Sequence, residues 1–195
     1  IPDANDEYLI YQTMLGAWPF DESEREPFRR RLKAYLVKVI REAKVHSRWI
    51  APDALYEQTV AGFIDGLFDP SRDFLAVFEP FADRIAHYGI LNSLSQTLLK
   101  LACPGVADIY QGCELWDLSL VDPDNRRPVD YQLRRDLLGR ISGMKPRQIV
   151  REMESGLPKL WTINRALELR RRFPRAFGDR SSYRPLEITG PQAQY

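Results

Sequence analysis

The side chains with the greatest chemical capacity crowd into one stretch. Between Gln111 and Pro128 lie Glu114, Trp116, Asp117, Asp122, Asp124, Asn125, Arg126 and Arg127, with Asp108 and Tyr110 just ahead of them. Carboxylates at this density suit glycoside chemistry, where a pair flanks the scissile bond, one protonated as acid and one ionised as nucleophile or base. Arg126 and Arg127 present forked donors that match carboxylates and sugar hydroxyls. Trp116 and Tyr110 offer flat apolar faces of the kind a sugar ring packs against. A plainer reading fits the same residues: Asp122-Pro123-Asp124-Asn125-Arg126-Arg127-Pro128 is a rigid turn stitched by Asp–Arg pairs, because these residue types favour turns. Spacing alone leaves both open.

Other chemistries find less support. His46 and His87 lie far apart, and neither has a His or Cys at ligand spacing, so no metal site is expected. Asp122-Pro123-Asp124-Asn125 departs from a calcium loop at its second position, which is Pro, and at its sixth, which is not Gly. There is no Gly-rich phosphate loop and no Gly-x-Ser-x-Gly elbow. Cys103 and Cys113 read as small buried side chains in a reducing, cytoplasmic setting. The run Arg29-Arg30-Arg31, with Lys33, Lys38, Arg41 and Lys44, reads as a solvated helix face. Arg170-Arg171-Arg172 suits the end of its own helix.

The elements that must position the loop are mainly helical. The 195 residues carry 28 Lys plus Arg against 27 Asp plus Glu, a net charge of +1, which argues against nucleic acid or a membrane surface as partner. With 44% hydrophobic and 28% charged residues the chain is globular rather than disordered. Ile1-Pro2-Asp3 has none of the features of a signal peptide, and both ends read as cuts in something larger. Asp3 caps a first helix that ends at Pro19. A second runs from Pro27 with Phe28, Leu32, Tyr35, Leu36, Val39 and Ala43 on its apolar stripe. Asp53 caps a third, closing at Asp69-Pro70. Ser71 caps a fourth, whose Phe74, Phe78 and Phe81 read as core packing and which ends near Gly89. A fifth spans Ile90 to about Ala102. Val106 to Tyr110 reads as one buried strand, and the stretch 183–188 as another. Asp130 caps a helix to about Ser142, and further helices cover roughly 146–154 and 159–173.

Several motifs, in order, resemble maltooligosyltrehalose synthases of the α-amylase superfamily. They are Asp3-Ala4-Asn5-Asp6-Glu7-Tyr8-Leu9-Ile10-Tyr11-Gln12, Arg41-Glu42-Ala43-Lys44, Asn92-Ser93-Leu94-Ser95-Gln96-Thr97-Leu98-Leu99-Lys100, Pro104 to Glu114, and Leu118 to Tyr131. A weaker likeness continues through Leu167-Glu168-Leu169-Arg170-Arg171 to Tyr183-Arg184-Pro185-Leu186. Ala107, Cys113 and Ser47-Arg48-Trp49 depart from the family pattern.

The resemblance implies a mainly α chain, a helical, bundle-like fragment of a (β/α)8 barrel. Residues 1–88 would be its helical insertion and 89–143 the last barrel helix, strand, loop and helix. Residues 144–178 would form a connection, and 179–195 the start of a C-terminal β domain. It implies an intramolecular transglycosylase, or glucosylmutase, that converts the reducing-end α-1,4 linkage of a maltooligosaccharide to an α,α-1,1 linkage, without a cofactor. The catalytic carboxylates would lie outside this chain. Asp122 and Arg126 match a sugar-subsite pattern; Asp124, Asn125, Arg127, Glu114, Trp116 and Tyr110 are further substrate contacts. A trehalose-releasing hydrolase would act on the product. The alternatives are another α-glucan hydrolase or transglycosylase of that superfamily, and a non-catalytic helical interaction module.

Overall fold

A computed structural model describes residues 1–178, 180–191 and 193. The helices are α1 (Ala4–Ala17), α2 (Arg25–Ala43), α3 (Ala54–Leu67), α4 (Phe74–Ala102), α5 (Tyr131–Ile141), α6 (Pro146–Ile149), α7 (Leu157–Arg172) and α8 (Pro174–Phe177). The chain divides into two compact units. Ile1–Asn92 joins Trp116–Arg134 in the first, and Ser93–Leu115 joins Arg135–Tyr195 in the second.

In the first unit the caps of α1 and α3 fall where the sequence puts them. Asp3 accepts the amide of Asp6 at 2.8 Å and starts α1; Asp53 accepts that of Tyr56 at 2.9 Å and starts α3. Along α2, Phe28, Leu32, Leu36 and Ile40 are buried. The expected stripe included Tyr35, Val39 and Ala43, but a four-residue step overshoots the 3.6-residue turn, so the buried line winds onto Ile40. Ala43 is exposed and Tyr35 and Val39 are half-buried. These side chains meet Ile10, Met14, Val60 and Ile64 in one core, where Trp18 packs edge-on to Phe28 and Phe78. Leu120 joins this core, an apolar anchor supplied by the loop.

Salt bridges fix α2 against α3. Arg41 forks onto both Glu57 oxygens at 2.8 Å, and Arg29 and Lys33 both reach Asp65 Oδ1, at 2.9 and 2.5 Å. Ser47 donates to Glu57 and accepts from the Asp53 amide, joining the bridge to the α3 cap.

The helix expected to end near Gly89 does not. α4 runs unbroken through Pro80 and Gly89. A glycine inside a helix costs only about 1 kcal/mol, which packing by Phe74, Phe78 and Ala82 offsets. Ser71 is no cap; its amide and hydroxyl both donate to Asp69. Phe81 is exposed rather than in the core.

The second unit has its own core of Leu115, Leu137, Ile141, Ile149, Leu157 and Leu160. The helix expected over 146–154 is shorter: after α6 a tighter 3-10 turn runs from Val150 to Ser155, broken by Glu152 at φ −109°, ψ 43°. Arg170 does more than suit its own helix. Its guanidinium donates to the carbonyls of Leu101 at 2.7 Å, Cys103 at 2.9 Å and Gly105, and lies 4.8 Å from the Phe177 ring. It thereby satisfies the Leu101 carbonyl, which the end of α4 leaves open at the negative pole of that helix, together with two carbonyls of the segment that follows.

Neither expected strand forms. Val106 to Tyr110 and 183–188 carry no regular structure, and Val106, Leu186 and Ile188 are exposed. A strand needs a neighbour to complete its hydrogen-bond ladder, and among the described residues the one β-bridge is Arg48 with Ala51. Residues 179, 192, 194 and 195 of the expected β domain lie outside the described residues. Cys103 is exposed and Cys113 half-buried, because both flank the irregular segment after α4 rather than a packed element.

The Arg41 guanidinium holds the Glu57 carboxyl below its ordinary value of 4.5, assisted by Ser47 and opposed by burial. A depressed carboxylate contributes stability above its unfolded pKa and loses it as pH falls through the folded one. Thermal melts between pH 7 and 3 should therefore show a steeper acid-side loss for the wild-type chain than for Glu57→Gln.

Candidate functional site

The segment rich in functional side chains splits between the units. Tyr110 and Glu114 belong to the second, Trp116 and residues 122–127 to the first. In the second unit, the amide of Cys113 donates to the Tyr110 carbonyl at 3.0 Å, closing a turn over Gly112 at φ 90°. An L side chain rarely adopts that backbone, so glycine is required. The Tyr110 ring is half-exposed, while Glu114 is half-buried and engaged in contacts. Lys100 donates to the Asp108 carbonyl at 2.8 Å.

In the first unit the loop folds about Asp124. A 3-10 turn over Asp124–Arg126 is closed by the Arg126 amide on the Pro123 carbonyl at 3.0 Å, and the Asp122–Pro123 peptide is cis. Asp124 Oδ2 accepts the Leu120 amide and Arg31 Nη1, both at 2.7 Å. Asp124 Oδ1 lies 2.9 Å from Arg127 Nε, and Arg127 also reaches the Ser119 hydroxyl. The side chains of Asp124 and Arg31 retain only 11% and 16% of their exposure. Trp116 is half-buried and engaged. Asn125 Oδ1 is buried without a hydrogen-bond partner.

Asp122 and Arg126 face the other way. They pair at 2.6 Å with side chains 41% and 66% exposed. The backbone behind them is held by Lys38, whose Nζ donates to the Asp122 carbonyl at 2.9 Å. Two of the sequence-predicted residues thus form an outward pair, and two others, Asp124 and Arg127, form an inward knot. By sequence Arg31 and Lys38 read as solvated helix face, which these contacts overturn. Their seven-residue spacing, which sets both on one flank beside the apolar stripe, was the available signal.

One further cluster was invisible in the sequence. The fold brings His46 to Asp3 and Asp6, with potential ligand atoms within 4.8 Å of one another. Hydrogen bonds account for this arrangement. Asp3 takes the Asp6 amide and His46 Nε2, Asp6 takes the Tyr56 hydroxyl at 2.7 Å, and the His46 ring stacks on Tyr56 at 4.1 Å. Burial, with Asp6 assisting, pushes the Tyr56 phenol up to about 12, so it stays a hydrogen-bond donor to Asp6. Among the described residues, no helix is long and apolar enough to cross a membrane.

Two Mycobacterium tuberculosis proteins (strains CDC 1551 / Oshkosh and ATCC 25618 / H37Rv), provisionally named maltooligosyl trehalose synthase, are 36% identical over the whole chain. The chain belongs to the maltooligosyl trehalose synthase family. It spans 23% of the length of those relatives. A maltooligosyl trehalose synthase crystal structure superposes over 97% of the chain and 26% of its own, with a TM-score of 0.87 at 30% identity. The maltooligosyltrehalose synthase of Arthrobacter ramosus matches over 96% of the chain and 23% of its own, with a TM-score of 0.82 at 37% identity. No family model matches the sequence. Over the matched stretch, the mainly helical architecture is the one its structural relatives share.

The inward and outward carboxylates should differ in energetic weight. Removing one partner of a nearly buried ion pair costs about 3 kcal/mol, whereas an exposed pair contributes less than about 1 kcal/mol. Urea denaturation should show Asp124→Ala strongly destabilised and Asp122→Ala close to wild type.

Proposed function

We propose that this chain is a substrate-binding segment of an intramolecular transglycosylase. The full-length enzyme would convert the reducing-end α-1,4 linkage of a maltooligosaccharide into an α,α-1,1 linkage, giving a maltooligosyltrehalose. The observation that carries this reading is the 36% identity over the entire chain to relatives named for that activity. The outward Asp122–Arg126 pair supports it, because a carboxylate beside a forked guanidinium can accept from and donate to neighbouring sugar hydroxyls.

In this reading residues 1–88 are a helical insertion, and 106–110 supply the eighth strand of a (β/α)8 barrel whose other strands lie elsewhere in the enzyme. The loop after that strand then lines the cleft, since sites in this fold form on loops beyond the C-terminal ends of the strands. The segment 144–178 leads toward a β domain that begins near residue 179. Asp122 and Arg126 bind sugar; Asn125, Arg127, Glu114, Trp116 and Tyr110 are further substrate contacts, and Asp124 supports the pair from within the loop. The carboxylates that break and remake the glycosidic bond belong to other parts of the enzyme, which is cytoplasmic, and a hydrolase releases trehalose from its product.

A direct assay separates this from its rivals. On maltopentaose the full-length enzyme should consume reducing ends faster than glucose appears, and the 195-residue chain alone should turn over nothing. Glucose release keeping pace with substrate loss would indicate a hydrolase. Turnover by the chain itself would assign catalysis to its loop carboxylates.

A further inference from the structure

Two side chains of α2 bind the 118–127 loop to that helix. Arg31 Nη1 donates to Asp124 Oδ2 at 2.7 Å and to the Leu118 carbonyl at 3.3 Å, and Lys38 Nζ donates to the Asp122 carbonyl at 2.9 Å. The Leu120 amide and Arg127 complete the shell around Asp124. At 100° per residue, Arg31 and Lys38 fall within about 20° of each other, on the flank of α2 away from the cations that serve α3. Arg31 is held there by more than charge. Its guanidinium lies 5.5 Å from the Phe28 ring, and its Nε is buried with no hydrogen-bond partner, a position a freely solvated arginine avoids. The exposed Asp122–Arg126 pair touches neither side chain directly, yet its backbone is fixed on both sides by them, at the Asp122 carbonyl and through the Asp124 carboxylate.

We propose that Arg31 and Lys38 are positioning residues for substrate: from α2 they hold the inward groups of the loop and so set the direction in which Asp122 and Arg126 meet a glucosyl ring. This inference rests on the substrate-binding role given to that pair above. Neither cation touches sugar. Their effect passes through Arg126 and Asp122, and it should therefore vanish when the group they position is gone.

The test is a double-mutant cycle in the full-length enzyme with maltopentaose. Misplacing binding groups by a fraction of an ångström is expected to raise KM about tenfold for Arg31→Ala, and less for Lys38→Met, with kcat little changed. Arg31→Lys, which keeps one charged donor, should recover most of the loss. In an Arg126→Ala background, Arg31→Ala should raise KM by less than about twofold, since residues acting as one unit are not additive. A KM penalty for Arg31→Ala that is undiminished in that background marks a role in general stability and overturns the proposal. If Arg126→Ala raises KM while Arg31→Ala and Lys38→Met both keep the wild-type value, positioning fails and substrate binding by the loop stands; should Arg31→Ala not fold, Arg31→Met, which keeps the apolar stem over Phe28 and loses the donors, decides the matter with Lys38→Met. If Arg126→Ala itself leaves KM unchanged, the substrate-binding reading fails and takes the positioning role with it.

Discussion

A carboxylate drawn almost out of water must have its lone pairs filled, and Asp124 meets that demand with a backbone amide and two arginines. Taking such a charge out of water carries a penalty of several kcal/mol, offset only when partners are close and well aligned. That condition ties three parts of the first unit together. Leu120 must bring its amide to Asp124 while its side chain enters the core, α2 must present Arg31, and the 3-10 turn must place Arg127 across the same carboxylate. The loop is therefore anchored twice, by apolar burial and by charge. Its remaining polar pair is the part left to solvent.

The division of labour along α2 follows from helical geometry. Its apolar line faces the core, one flank carries Arg29, Lys33 and Arg41 to the acids of α3, and the other carries Arg31 and Lys38 to the loop. A helix with so many cations would repel itself in isolation; here acids and carbonyls from two separate stretches answer those that face protein. The second unit uses the same device at Arg170, where a guanidinium gathers the Leu101 carbonyl at the end of α4 and those of Cys103 and Gly105 in the turn that leads toward Tyr110.

Much of this was legible in the sequence where the cause is local. The caps at Asp3, Asp53 and Asp130 depend on residues within one turn, and each is found in place. The concentration of Asp and Arg over 122–127 marked the loop, and the ordered motifs marked the family. What escaped depends on distant partners. Gly89 looks like a stop until the packing on both sides of it is known, and Arg31 looks solvated until Asp124, far along the chain, is brought beside it. Val106 to Tyr110 has the composition of a strand, but composition does not supply the neighbour a strand requires. The same distance hid which of the two loop aspartates points inward, because Asp122 and Asp124 are chemically identical and only the contacts of Arg31 and Leu120 distinguish them.

We propose that one aspartate of this loop is structural while the other meets substrate. A crystal structure of the full-length enzyme with a bound maltooligosaccharide addresses it most directly. Asp122 and Arg126 should lie within hydrogen-bonding distance of sugar hydroxyls while Asp124 keeps both Arg31 and the Leu120 amide. Sugar oxygens on Asp124, with Arg31 released from it, would contradict the account.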